Sequence, residues 1–262
     1  MKKLITICAA AAMMLATSST TLADIDQDFS ANVDGWFTEG NNVTWNGAAA
    51  GTATITQGAY TRFGGYSSVF PAGGFTTSLD IYLDVDGGFA NDNRFDFTVA
   101  INNSAGDHRR DFAFNGGFYD DSDVTGSGDR FVFSASNTTG RGNSYPKNPG
   151  RDPFSLDTTG WYSFQHAFYD DGAGILAVDL SIIDAADNTL HTWTLSDPLD
   201  AISGIGGNRY GWFPNIELPS LTIDNSTLTS VQAAPVPVPG AFVLGAMGLG
   251  MVGWMKRRKQ KA

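Results

Sequence analysis

Hydrophobic and polar residues alternate along most of this chain with a period of two. That spacing turns one side of a strand toward a core and the other toward water. In SLDIYLDV, Leu79, Ile81, Leu83 and Val85 fall on one side, and Ser78, Asp80, Tyr82 and Asp84 on the other. RFDFTVAIN repeats the scheme with Phe95, Phe97, Val99 and Ile101, and ILAVDLSII with Leu176, Val178, Leu180 and Ile182. Shorter strands are predicted over 52–56, 60–63, 110–115, 130–136, 161–168, 190–195, 210–213 and 221–224. Polar clusters such as DVDGGFANDN, NNSAGD, DDSDVTGSGD and DDGAG stand between them, rich in residues that tolerate tight turns. No stretch of this body has a convincing helical period. Many half-buried strands with long polar connections predict an all-β fold, an antiparallel two-sheet β-sandwich, as one domain over 24–232. Trp36, Trp161 and Trp193 are expected in its core.

The two ends break the alternation. At the N-terminus, Lys2 and Lys3 precede an apolar run from Leu4 to Ala16, and Thr21-Leu22-Ala23 supplies small residues for cleavage between Ala23 and Asp24. This order predicts a secretory signal peptide, helical over 1–23 and delivered to the Sec translocon. At the other end, Pro239–Met255 is 17 residues without a charge. As a helix it spans about 26 Å at about 1.5 Å per residue, marginal for a hydrocarbon core of about 30 Å. Lys256, Arg257, Arg258, Lys259 and Lys261 follow at once. Basic residues after a last apolar span stay in the cytoplasm, so the body is expected outside. The signal peptide demands the same topology.

Charge sharpens the contrast. The body holds nine basic against 27 acidic residues, a formal net of −18, while the end segments carry only cations. Nucleic acid is excluded as a partner, because phosphate binding needs the opposite sign. Cys8, inside the signal, is the only cysteine, so the mature chain has no disulfide, thiolate metal site or cysteine nucleophile.

Few residues suggest chemistry. Glycoside hydrolysis generally needs two carboxylates about 5–10 Å apart, one often a glutamate, and the body has only Glu39 and Glu217. His108, His166 and His191 are scattered with no H-x-H or H-E-x-x-H spacing, and no G-x-S-x-G elbow occurs. No metal or cofactor is required. A structural calcium is the one candidate, because hard cations take several oxygens from flexible loops. Asp84 and Asp86 in one turn are its candidate ligands, against the plain alternative of solvated turn aspartates. Asn208, Arg209, Tyr210 and Trp212 combine aromatic faces with hydrogen-bonding groups, the composition that stacks on sugar rings. Arg109 and Arg110 add forks able to clamp a carboxylate, or else they pair with nearby aspartates.

Val236-Pro237-Val238-Pro239-Gly240, the short glycine-containing span and the basic cluster together resemble the PEP-CTERM sorting signal read by exosortases, in a V-P-x-P-G variant that lacks the usual glutamate. The opening DQDFSANVDGWF and closing SLTIDNSTL resemble the paired first and last strands of jelly-roll or concanavalin A-like modules, a resemblance that implies a structural calcium between them, held by Asp26 or Asp28 with Asp224. The glycanase strand motif E-x-D-x-x-E and the R-x-E-x-R strand of alginate-lyase jelly rolls are both absent. The resemblance implies three parts: signal peptide 1–23, sandwich 24–232, and 233–262 as proline-rich spacer, transmembrane helix and basic tail. It further implies an exosortase-type partner, anchorage in the inner membrane before processing, and release to the surface or matrix. A non-enzymatic module associated with exopolysaccharide or biofilm is then the leading expectation. A secreted polysaccharide hydrolase or lyase is the alternative.

Overall fold

The computed structural model describes residues 24–37, 40, 42–137 and 146–230. The expected signal helix and the C-terminal spacer, membrane segment and basic tail lie outside the described residues. Among those described, no helix is long and apolar enough to cross a membrane.

The alternating segments form strands as predicted. In chain order they are β1 (Ile25–Gln27), β2 (Trp36–Phe37), β3 (Val43–Trp45), β4 (Ala53–Ile55), β5 (Tyr60–Thr61), β6 (Phe75–Leu83), β7 (Asn93–Asn103) and β8 (His108–Tyr119). They continue with β9 (Arg130–Asn137), β10 (Phe154–Leu156), β11 (Gly160–Asp170), β12 (Ile175–Asp184), β13 (Thr189–Ala201), β14 (Ile205–Ile216) and β15 (Leu221–Ser230). One sheet runs β13-β12-β11-β6-β15-β4-β3, with β1 also on β15; the other runs β10-β9-β8-β7-β14-β5-β2. The chain crosses repeatedly between the sheets, so the fold is an antiparallel two-sheet sandwich. The opening and closing strands pair, Ile25 opposite Leu228 and Asp26 opposite Thr227, on the stretch of β15 that β4 leaves uncovered.

Phenylalanine fills the space between the sheets. Phe75, Phe95, Phe97, Phe112, Phe114, Phe118, Phe131, Phe133, Phe164 and Phe168 are all essentially inaccessible. Many meet edge to face, as Phe114 does with Phe164 at 5.1 Å and 88°, the geometry that ring quadrupoles favour. Gly74 shows how closely the backbone approaches this layer: its φ is +83°, and a Cβ there would lie 2.0 Å from the Phe168 carbonyl oxygen.

Two features depart from simple alternation. Trp36 and Trp193 are buried as expected, but Trp161 is not. The inward residues of β11 are Tyr162, Phe164, His166 and Phe168, so Trp161, one position out of phase, stands outside against Tyr82 at 5.4 Å. His166 instead occupies a core position among Phe97, Phe114 and Phe168. Its Nε2 lies 3.2 Å from the Phe112 carbonyl oxygen, and its Nδ1 is buried without a partner. Burial pushes its pKa down to about 3.

A charged clasp joins the sheets where β8 begins and β13 ends. Arg109 Nε donates to Asp200 Oδ1 at 2.7 Å and Arg110 Nε to Asp200 Oδ2 at 2.5 Å. Arg110 also reaches Asp197 at 2.8 Å, and Arg109 the Leu199 carbonyl at 2.7 Å. Asp200 is 1% exposed, so two guanidinium groups replace the water it has lost.

Candidate functional site: an aromatic trough

The outer face of the second sheet carries an unusual row at its β2–β5–β14 end. Register sets Phe37 opposite Tyr60 and Tyr60 opposite Trp212. Their chain neighbours Trp36, Thr61, Gly211 and Phe213 point inward, so the three aromatic side chains share the outer face. Phe37 and Tyr60 stack with centroids 4.2 Å apart and planes 4° from parallel. Tyr210, the preceding outward residue of β14, meets Trp212 edge-on at 6.2 Å.

A loop after β5 closes the other wall. Arg62 carries its guanidinium carbon 5.0 Å from the Phe37 ring and 4.4 Å from the ring of Tyr66. Arg209 lies 5.2 Å from Tyr66 and 5.8 Å from Tyr210. Cations held over aromatic faces in this way keep their charge while shedding water. The result is a trough of about 530 Å³ lined by Gly58, Tyr60, Arg62, Tyr66, Tyr210 and Trp212. A second cavity of about 370 Å³, lined by Gly35, Trp36, Phe37, Arg62, Gly64 and Gly65, adjoins it through Arg62.

The loop keeps its shape because buried amides bind its backbone. Asn208 Nδ2 donates to the carbonyls of Arg62 (2.7 Å) and Gly65 (3.1 Å). Asn102 Nδ2 donates to those of Ser67 (3.0 Å) and Asn208 (3.1 Å). Beside the trough, Asp111 Oδ1 lies 3.0 Å from His108 Nε2 and accepts from the Tyr210 hydroxyl at 3.2 Å. The His108 and Tyr210 rings lie nearly parallel, 6.2 Å apart. One carboxylate thus holds a phenol and an imidazole, and the phenol lines the trough.

The residues predicted to bind a ligand divide accordingly. Tyr210 and Trp212 line the trough. Arg209 stands behind it, donating to Asn102 Oδ1 and the Gly106 carbonyl. Asn208 is fully buried and supports the loop. Arg109 and Arg110 are engaged in the Asp200 clasp. Sequence reasoning passed over Phe37, Tyr60, Arg62 and Tyr66. The alternation of Tyr60 and Arg62 ahead of Gly64-Gly65 was the available signal, since it puts both side chains on one face before a turn.

The candidate calcium ligands occupy two separate places. Asp224 is opposite Asp80 across β15 and β6. Its carboxyl is raised above the usual range, chiefly by burial and further by Asp80 and Asp28 nearby. Asp80 accepts from Ser163 Oγ and Asn225 Nδ2, and Asp28 from the Ser30 amide. Asp26 lies on β1. Asp84 and Asp86 sit in the turn after β6, where the Asp84 backbone carbonyl accepts from the Gly87 amide and the Asp86 carboxylate from the Thr159 hydroxyl. Among the described residues no three histidine, cysteine, aspartate or glutamate side chains gather in a group able to hold a metal ion. The sorting residues Val236, Pro237, Val238, Pro239, Gly240, Lys256, Arg257 and Arg258 lie outside the described residues, as does Ala23.

No protein-family model matches the chain, and no characterised protein matches it by sequence. Solved structures share its architecture. The CBM2 module of Lactobacillus casei BL23 phage J-1 evolved Dit is 13% identical at a TM-score of 0.45, covering 80% of this chain and 96% of its own. The PL-14 alginate lyase from Aplysia kurodai is 12% identical at 0.43, covering 81% and 100%. An endo-1,3-beta-glucanase from Streptomyces sioyaensis is 12% identical at 0.42, covering 80% and 90%. Likeness this distant concerns the fold alone. It does correct one expectation: catalysts stand beside a binding module among these sandwiches, so the architecture gives no ground for a non-enzymatic assignment.

Proposed function

We propose that this is an exported polysaccharide-directed protein that seats a glycan chain in the aromatic trough. The carrying observation is the Tyr60–Trp212–Tyr210 surface, flat rings on the outer face of one sheet with guanidinium groups beside them. Sugar rings present apolar faces and hydroxyl edges, and such a surface meets both. The two address signals support delivery outside the cell: a signal peptide cleaved between Ala23 and Asp24, and an exosortase-type signal that keeps the protein in the inner membrane until processing near Val236–Gly240.

A second reading has its own support. The trough-lining Tyr210 is bonded to Asp111 and through it to His108, side chains of the types that transfer protons, which favours cleavage of the bound chain as well as its capture. One experiment addresses both. Polysaccharides are presented to the full chain purified in detergent, with binding read by affinity electrophoresis and cleavage by new reducing ends. Trp212→Ala is expected to weaken binding by about 2 kcal/mol, roughly 30-fold, as removal of a central tryptophan anchor does. Undiminished binding by that variant rejects the trough. Reducing ends that vanish in Tyr210→Phe, with binding retained, establish the cleavage reading.

A further inference from the structure

The trough was read above as a polysaccharide site, and the charge around it narrows the class of polysaccharide. The body is strongly acidic, and its cations are mostly neutralised. Among the described residues Arg94, Arg109, Arg110, Arg130 and Lys147 all pair with aspartates. Arg151 donates to the Ala135 carbonyl, and Arg209 to Asn102 and Gly106. Arg62 differs. Its side chain makes neither an ion pair nor a hydrogen bond among the described residues, and its Nε, like that of Arg209, is enclosed with no acceptor. It is held instead by the faces of Phe37 and Tyr66, which fix the guanidinium plane without using its donors.

Its surroundings point the same way. Arg62 lines both cavities, and among the described residues neither is lined by a carboxylate, in a body that has three acidic residues for every basic one. A pre-oriented guanidinium with no acceptor among the described residues is open to one from a ligand, and a planar carboxylate matches its paired donors. We propose that Arg62 recognises the carboxylate of a uronic acid, and hence that the trough selects acidic polysaccharides. This rests on the trough being the glycan site. The sugar ring then lies on Trp212 and Tyr210, with the carboxylate directed to the junction of the two cavities. Repulsion from the distant aspartates is screened beyond about 8 Å at physiological salt, whereas the contact at Arg62 is not.

The test compares polygalacturonate, alginate and glucuronan with their methyl esters and with dextran, at 0.15 M salt, on the full chain in detergent. Isothermal titration is run on the native protein, Arg62→Gln, Arg62→Lys and Trp212→Ala, with thermal unfolding confirming that each variant is folded. At least one polyuronate is expected to bind ten-fold or more tightly than its ester. Arg62→Gln should erase that preference, so that acid and ester bind the variant alike. Arg62→Lys should retain only part of it, since a point charge replaces the fork. Equal binding of acid and ester, or a preference that survives Arg62→Gln, overturns the assignment to Arg62. Neutral glycan binding that Trp212→Ala abolishes, with no preference for acid, overturns it and leaves the trough intact. Failure of every glycan to bind rejects the trough along with it.

Discussion

His166 makes the stability of the sandwich depend on pH in a way that can be worked out from its surroundings. The imidazole is fully buried, with Phe97, Phe114 and Phe168 around it and the Phe112 carbonyl as its sole hydrogen-bond partner. Protonation would place a charge in that cage and turn the unpartnered Nδ1 into a buried donor with no acceptor. The folded state therefore keeps the ring neutral to about pH 3, whereas the unfolded chain takes up the proton near pH 6.5. Because the folded value is the lower one, the contribution is fully present above pH 6.5 and is lost progressively as pH falls toward 3. Between those limits the unfolded state binds one more proton, giving a slope of about 1.4 kcal/mol per pH unit. From pH 8 to pH 5 the loss comes to about 2 kcal/mol. The carboxylates also titrate, so the protein is compared with His166→Leu, in which they are unchanged. Urea unfolding followed by tryptophan fluorescence at pH 8, 6.5 and 5 gives both free energies. The variant starts lower by a constant, the lost hydrogen bond and altered packing. The gap should then close by about 2 kcal/mol by pH 5. A gap that stays constant over this range would refute the argument, since it would mean that the ring titrates alike in both states.

Two further outcomes are expected. Asp200→Asn removes the charge that Arg109 and Arg110 share and should cost about 2 kcal/mol, because Arg110 keeps only the more exposed Asp197 and Arg109 loses its one ion pair. A melting temperature within about 2 °C of the native protein's would show that water replaces the carboxylate. Mass spectrometry of protein recovered outside the cell should find a C-terminus near residues 236–240 and no KRRKQKA tail; an intact tail would mean a permanent anchor.

Much of the architecture was legible in the alternation. A period of two dictates which residues face inward, so the inner sides of β6, β7 and β12 could be read without coordinates, and an all-β sandwich followed from the number of such segments. Trp161 shows the limit of that reading, because its chemistry suggested the core while the phase of β11 assigned that place to its neighbours. The trough lay beyond reach for a different reason. Tyr210 and Trp212 are near each other in sequence, but Phe37, Tyr60, Arg62 and Tyr66 come from two short strands and a loop whose pairing depends on register with β14. Arg109 and Arg110 present the opposite case: they resembled ligand donors in sequence, and folding brought Asp200 and Asp197 to them from some 90 residues away. Local alternation and the charge of the end segments are properties of the chain alone, since each depends on residues a few positions apart. Which cations are neutralised and which are left for a partner depends on contacts between distant strands, and only the folded sandwich brings those together.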